Sequence, residues 1–193
     1  QYVLHVNGLR HLKRVRTAAR DGNSVHLIGL VSDGGVHSHV EHIVALLEMA
    51  DQEGCEKVFV HALMDGRDTS PTSGKSYIQY LLGRMEEIGC GKIATVAGRY
   101  WTMDRDKRWE RVEKGYDAMV LGEGIKVEAG EILDEFDRMY DAGEKETDEF
   151  IKPRVLVEGG KPVATINDGD TVIFFNFRAD RARQISRALN FAE

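Results

Sequence analysis

Arginine, aspartate and histidine recur in four short stretches, each following an apolar run: SDGGVHSH (32–39), DGRDTSP (65–71), GRYWTMDRD (98–106) and RADRAR (178–183). Brought to one place, Arg67, Arg99, Arg105, Arg178 and Arg181 would repel one another unless an anion joined them. A guanidinium grips carboxylate or phosphate through two parallel hydrogen bonds, and each charge-assisted bond contributes about 1.5–3 kcal/mol. The chemistry these residues can do together is therefore capture of a small anion. For any single arginine the competing reading is a surface ion pair. Arg178 and Arg181 stand three apart at an expected helix start, which would put them on one face beside the positive end of the helix. Arg108, Arg111, Arg183 and Arg187 read as solvent-facing.

SDGGVHSH admits three readings. Its glycines can make a tight turn whose backbone N–H groups approach phosphate. Asp33, His37 and His39, with His61 or Asp65, could ligate a transition metal. Alternatively, His39 simply begins a helix. His61 lies within an apolar run and reads as a packed histidine. Asp68, beside Arg67, could hold an arginine in place or do acid/base work. There is no G-x-G-x-x-G and no Walker motif.

The elements that must position these groups follow from periodicity. Residues 8–20 carry Leu9, Leu12, Val15 and Ala19 at helical spacing. Strands are predicted at 24–31, 57–63 and 92–97, alternating with helices at 38–53, 73–88 and 104–121. The pattern Ser38 to Glu41 predicts a capping box, and Asp104 is the expected cap of the third helix. After residue 121 the pattern is less regular, with an acidic helix near 130–140 and a strand near 154–157. A final strand is expected to end at Phe177 and lead into the last helix. Strands alternating with helices predict a three-layer α/β/α sandwich with a mainly parallel, mixed sheet. In such a sheet all four polar stretches fall at the carboxyl ends of strands, where ligands bind.

Composition narrows the possibilities. The chain has 193 residues, 42% of them hydrophobic and 30% charged, and a net charge of −6, which argues against a general nucleic-acid binder. No apolar run reaches membrane-spanning length and no signal peptide is visible, so no membrane partner and a cytoplasmic location are expected. Cys55 and Cys90 are expected as free thiols. The chain starts at Gln1, not at methionine, and stops soon after a helix begins to close. An excised domain is therefore expected, with residues 1–7 a linker or expression scar.

The stretches HLIGLVSDGGVHSH, HALMDGRDTSP, AGRYWTMDRDKRWERV, TDEFIKP and FFNFRADRARQ, in that order, closely resemble the cofactor-independent (2,3-bisphosphoglycerate-independent) phosphoglycerate mutases. The resemblance spans about residues 8–192, and only 122–146 aligns loosely. It implies that residues 8–193 are the inserted substrate-binding domain of an intramolecular phosphotransferase of the isomerase class. That enzyme interconverts 3-phosphoglycerate and 2-phosphoglycerate in glycolysis through a phosphoserine intermediate. The serine and two metal ions, usually Mn2+, belong to an alkaline-phosphatase-like domain absent from this chain, which itself would bind no metal. Carried over by motif, the substrate-binding residues are His37, Arg67, Asp68, Arg99, Arg105, Arg178 and Arg181. Asp68 would move protons on glycerate hydroxyls and His37 would hydrogen-bond the phosphoryl group. Asp33 and His39 are not ligands in that pattern. The isolated chain is expected to be inactive. The competing readings are a stand-alone binding module for small phosphorylated acids and a metal-dependent hydrolase built on Asp33, His37 and His39.

Overall fold

The computed structural model of the chain describes residues 2–141 and 146–190, with side chains from residue 11 onward. Helix α1 (Tyr2–Asp21) precedes an alternation of β1 (Val25–Leu30), α2 (Val40–Gln52), β2 (Val58–Met64), α3 (Gly74–Ile88) and β3 (Lys92–Gly98). A short α4 (Arg99–Thr102) and α5 (Trp109–Tyr116) follow, then β4 (Ile125–Glu128), α6 (Ile132–Asp141), β5 (Arg154–Glu158), β6 (Lys161–Pro162), β7 (Thr171–Phe174) and α7 (Arg183–Asn190). The described residues form a seven-stranded sheet in the order β4-β5-β3-β2-β1-β7, with β6 on β5. Neighbours β3, β2, β1 and β7 are all parallel, whereas β5 runs antiparallel to β3. The carboxyl ends of β1, β2, β3 and β7 therefore share one edge, and the mixed three-layer architecture is as expected.

The central strands are buried because helices cover both faces. Val25 and Leu27 of β1, with Val58, Val60 and Ala62 of β2, pack toward Val15, Leu47, Ile78, Leu81 and Phe136. Alternate residues Ile28, Leu30 and Leu63 pack the other way, against Met103 and Met119. On that second face His26 and His61 are fully buried. Asp170, His26, His61 and Thr95 form a continuous thread, with contacts of 3.2, 3.0 and 2.9 Å. His61 is thus the packed histidine its sequence context predicts. In α1, Val15 and Ala18 are buried; the side chain of Leu9 lies outside the described residues. Among the described residues no helix is long and apolar enough to cross a membrane.

Several boundaries differ from those expected, each for a local reason. The helix expected from residue 8 begins at Tyr2, since no proline interrupts the backbone ahead of it. His39, not Ser38, caps α2, its Nδ1 accepting from the Glu41 N–H. Ser38 is drawn inward instead, its hydroxyl donating to the Leu30 carbonyl. The third helix starts at Trp109, because Asp104 spends its carboxylate on the Asp106 and Arg108 N–H groups and closes a loop first. It ends in a π-turn, Asp117–Leu121. Strand β7 stops at Phe174. Beyond it Phe175 N–H still bonds Ile28, but the Leu30 N–H goes to the Asn176 side chain in place of a ladder partner.

Candidate anion-binding site

Asp65 closes β2, is 3% exposed, and organises the edge. Its carboxylate accepts from Ser32 Oγ at 2.8 Å, the Arg67 and Asp68 N–H groups at 3.2 and 2.9 Å, and Arg99 Nη1 at 2.7 Å. Burial alone would raise its pKa. The bonds from Asp68, Ser32 and Arg99 outweigh burial and hold it below the ordinary carboxylate value. One buried carboxylate thus ties together the loops after β1, β2 and β3.

Arg99 leaves β3 buried. Nη1 also donates to Asp68 Oδ2 at 2.6 Å, and Nη2 lies 3.0 Å from His37 Nε2. Guanidinium only donates, so His37 Nε2 must accept, and the neutral ring carries its proton on Nδ1. Burial, followed by the charges of Arg99 and Arg178, lowers the His37 pKa and keeps it neutral. Asp68 holds an arginine here, one of the two roles its sequence context leaves open.

The remaining arginines stand around this buried knot. Arg181 Nη1 donates to the Met103 carbonyl at 3.1 Å. Arg178 and Arg105 reach Asp180 Oδ2 at 3.1 and 3.5 Å. Arg67, 55% exposed, lies 3.7 Å from Glu149. Burial depresses the Arg181 pKa, and the charges of Arg105, Arg99 and Arg67 depress it further. That mutual repulsion is what an anion would relieve. A cavity of about 330 Å³ is lined by Arg67, Arg99, Arg105 and Arg181. His37 and Asp68 sit behind it through Arg99, and Arg178 reaches it through Asp180.

Two expectations fail here. Helix α7 begins only at Arg183, after a turn in which Ala182 N–H bonds Ala179. Arg178 and Arg181 therefore stand on that turn, and no helix N-terminus carries them. Arg108 borders the cavity but is exposed, as expected; Arg111, also read as solvent-facing, is half-buried and lines the cavity, stacking 3.8 Å over the Tyr100 ring. Arg183 and Arg187 are exposed as expected.

Sequence reasoning also missed Glu149 and Phe150, which line the cavity from across the sheet edge. They belong to a strap, Asp148–Phe150, laid over Gly66 and Gly98. A Cβ on Gly66 would meet Glu149 N at 2.7 Å, and one on Gly98 would meet Asp148 O at 2.6 Å. The motif TDEFIKP was the only sequence signal for it.

The metal reading of SDGGVHSH does not fit. Asp33 accepts from the Tyr77 hydroxyl, His39 caps α2, and His37 faces Arg99. Among the described residues no group of three or more His, Cys, Asp or Glu could hold a metal ion. Cys55 and Cys90 are buried free thiols.

Comparison with known proteins places this geometry in a family. The family model described as the BPG-independent PGAM N-terminus matches residues 7–193. The 2,3-bisphosphoglycerate-independent phosphoglycerate mutase of Clostridium perfringens is 54% identical over 178 residues, covering 92% of this chain and 34% of the relative. That of Lachnoclostridium phytofermentans is 52% identical over 177 residues, again 92% and 34%. A solved structure, described as Leishmania mexicana phosphoglycerate mutase at low cobalt concentration, superposes with a TM-score of 0.87 and 36% identity, covering all of this chain and 36% of that one. The chain spans about a third of the length of these relatives. It belongs to the 2,3-bisphosphoglycerate-independent phosphoglycerate mutase family and corresponds to part of that longer protein.

Proposed function

We propose that this chain is the substrate-holding domain of a cytoplasmic, glycolytic mutase that interconverts 3-phosphoglycerate and 2-phosphoglycerate. The observation that carries the reading is the cavity: six arginines line it, and one of them, Arg181, already feels the charge of Arg105, Arg99 and Arg67. A phosphoglycerate brings two anionic groups, a carboxylate and a phosphoryl group, and so matches such a wall better than a monoanion.

In this reading Arg67, Arg105 and Arg181 neutralise the ligand's oxygens, with Arg178 joining from the rim. Arg99, fixed by Asp65, Asp68 and His37, is a preorganised donor that need not reorder on binding. In the same reading Asp68, which holds Arg99 from behind the cavity, exchanges protons with a glycerate hydroxyl once the ligand is bound. Glu149 and Phe150 bound the cavity and set its size. In this reading the phosphoryl acceptor, a serine, and the metal ions of the full enzyme, Mn2+ or similar, belong to the remainder of the protein; among the described residues of this chain no group could hold a metal ion. Metal ions would supply charge stabilisation during phosphoryl transfer.

Titration of 3-phosphoglycerate into the chain, followed by calorimetry, tests the reading. Saturable binding is expected, weakened about ten- to hundredfold in Arg105→Ala and in Arg181→Ala, the loss of one or two charge-assisted bonds. Binding indifferent to both substitutions would sink it. Turnover should require the rest of the protein. A chain that binds phosphorylated acids but gains no mutase activity when the remaining sequence is supplied would instead be a stand-alone binding module.

A further inference from the structure

Two buried polar atoms beside the cavity have no hydrogen-bond partner among the described residues: His37 Nδ1 and Asp180 Oδ1. They face each other at 3.9 Å, too far to bond. His37 is 3% exposed, and its Nδ1 carries the ring proton because Nε2 accepts from Arg99. A buried donor and a buried acceptor thus stand unpaired about an ångström beyond contact, an arrangement that costs free energy. What holds them apart is visible on the other oxygen of the same carboxylate. Asp180 Oδ2 is engaged by Arg178 at 3.1 Å and by Arg105 at 3.5 Å. Asp180 therefore occupies guanidinium positions that an anionic ligand would take. Its own pKa is held low: burial would raise it, but the charge of Arg178, the Arg181 N–H and the charge of Arg105 outweigh that, so it stays a carboxylate.

We propose that Asp180 is a positioning residue that exchanges partners when an anion binds, releasing Arg105 and Arg178 to the ligand and closing onto His37 Nδ1–H. The turn that carries Asp180 makes this a small movement. The ion pairs it gives up are half-exposed, so each is weak and replaceable. The bond it gains is buried and satisfies both orphaned atoms. Once closed, it fixes the His37 ring in the Nδ1–H form, with Nε2 holding Arg99 against Asp65 and Asp68. Arrival of the ligand at the rim thereby stiffens the arginine at the back of the cavity. No bond is made or broken other than hydrogen bonds, and no proton changes owner.

The inference rests on the proposed phosphoglycerate reading for the ligand, but not for the exchange itself, and two probes separate them. Inorganic phosphate and 3-phosphoglycerate are titrated into the wild-type chain and into Asp180→Asn. Removing the competing charge should tighten both anions by about three- to tenfold, because the arginines no longer have to be freed. A residue that merely supports the loop would weaken binding when replaced. In parallel, 15N-labelled histidine reports on His37, assigned by its absence in His37→Gln. The His37 Nδ1 proton should move downfield and become slow to exchange at saturation in the wild type. Unchanged or weaker anion binding in Asp180→Asn overturns the proposal. So does a His37 signal that does not respond to saturating ligand in the wild type, which needs no variant to fold. If phosphate gives both effects and 3-phosphoglycerate does not bind, the exchange stands and the substrate reading falls.

Discussion

At the scale of single residues, the contrast between Arg99 and its neighbours matters most. Arg99 and Asp65 are both nearly inaccessible, at 3% and 2% side-chain exposure, and 2.7 Å apart. A charge in that position is tolerable only because it is paired and fully hydrogen-bonded. Replacing Asp65 by Asn keeps the shape but removes the charge and turns one acceptor into a donor facing Ser32, Arg99 or a backbone N–H. A loss of about 3 kcal/mol in urea unfolding is expected, the usual cost of breaking a buried pair from one side. Because the folded pKa of Asp65 is depressed, its contribution is present above the ordinary carboxylate value and lost as pH falls through the folded one. The gap between wild type and Asp65→Asn should therefore narrow in strong acid. A gap that is the same at every pH would show that Asp65 acts by packing alone.

At the scale of elements, the strap Asp148–Phe150 links the cavity to the helical layer. The Asp148 carboxylate accepts from Gly74 N–H at the start of α3, at 2.7 Å, and from the Tyr140 hydroxyl of α6. It is 1% exposed and meets no cation among the described residues. Burial pushes its pKa up to about 6, the bonds from Tyr140 and Gly74 only partly opposing this. The folded protein then holds a proton that the unfolded chain has lost. Stability falls as pH rises from about 4 to about 6, by up to about 3 kcal/mol if the whole shift is expressed. Asp148→Asn removes that titration. Measured by urea unfolding, the variant should gain about 2–3 kcal/mol relative to wild type between pH about 4 and about 6.5; parallel curves would place the raised pKa elsewhere. Phosphoglycerate binding should follow the strap only weakly, since Glu149 and Phe150 bound the cavity without closing it.

At the scale of the whole molecule, a net charge of −6 coexists with a cavity walled by guanidiniums. The overall field repels an anionic ligand while the local one attracts it, and salt screens both over about 10 Å at 0.1 M. The local term wins at contact because six arginines line the cavity against three carboxylates, Asp104, Asp106 and Glu149. Binding of 3-phosphoglycerate should therefore weaken as salt rises from about 0.02 to about 0.3 M, several-fold in Kd. Affinity that strengthens with salt would mean that the global charge dominates and that the arginine wall is already neutralised by its own carboxylates, Asp180 first among them.

The alternation of VHLIGL, VFVHALM and KIATVAG with helices could be read directly, because buried parallel strands are apolar almost throughout and need no partner to reveal their period. From that alone came the shared edge and the gathering of Arg67, Arg99, Arg105 and Arg181 on it. The motifs' order went further and marked the family. What a linear pattern does not carry is which polar atom meets which. The placement of Asp65 under three loops, the stacking of Arg111 on Tyr100, and the path of the strap over Gly66 and Gly98 depend on contacts between distant segments. So does the start of α7: local spacing offered a helix at Arg178, but the turn at Asp180 stands there instead, next to Arg105 and His37 from two other loops. Periodicity is a property of one segment, whereas hydrogen-bond ownership is settled only after all the segments that compete for a donor have been brought to the same edge.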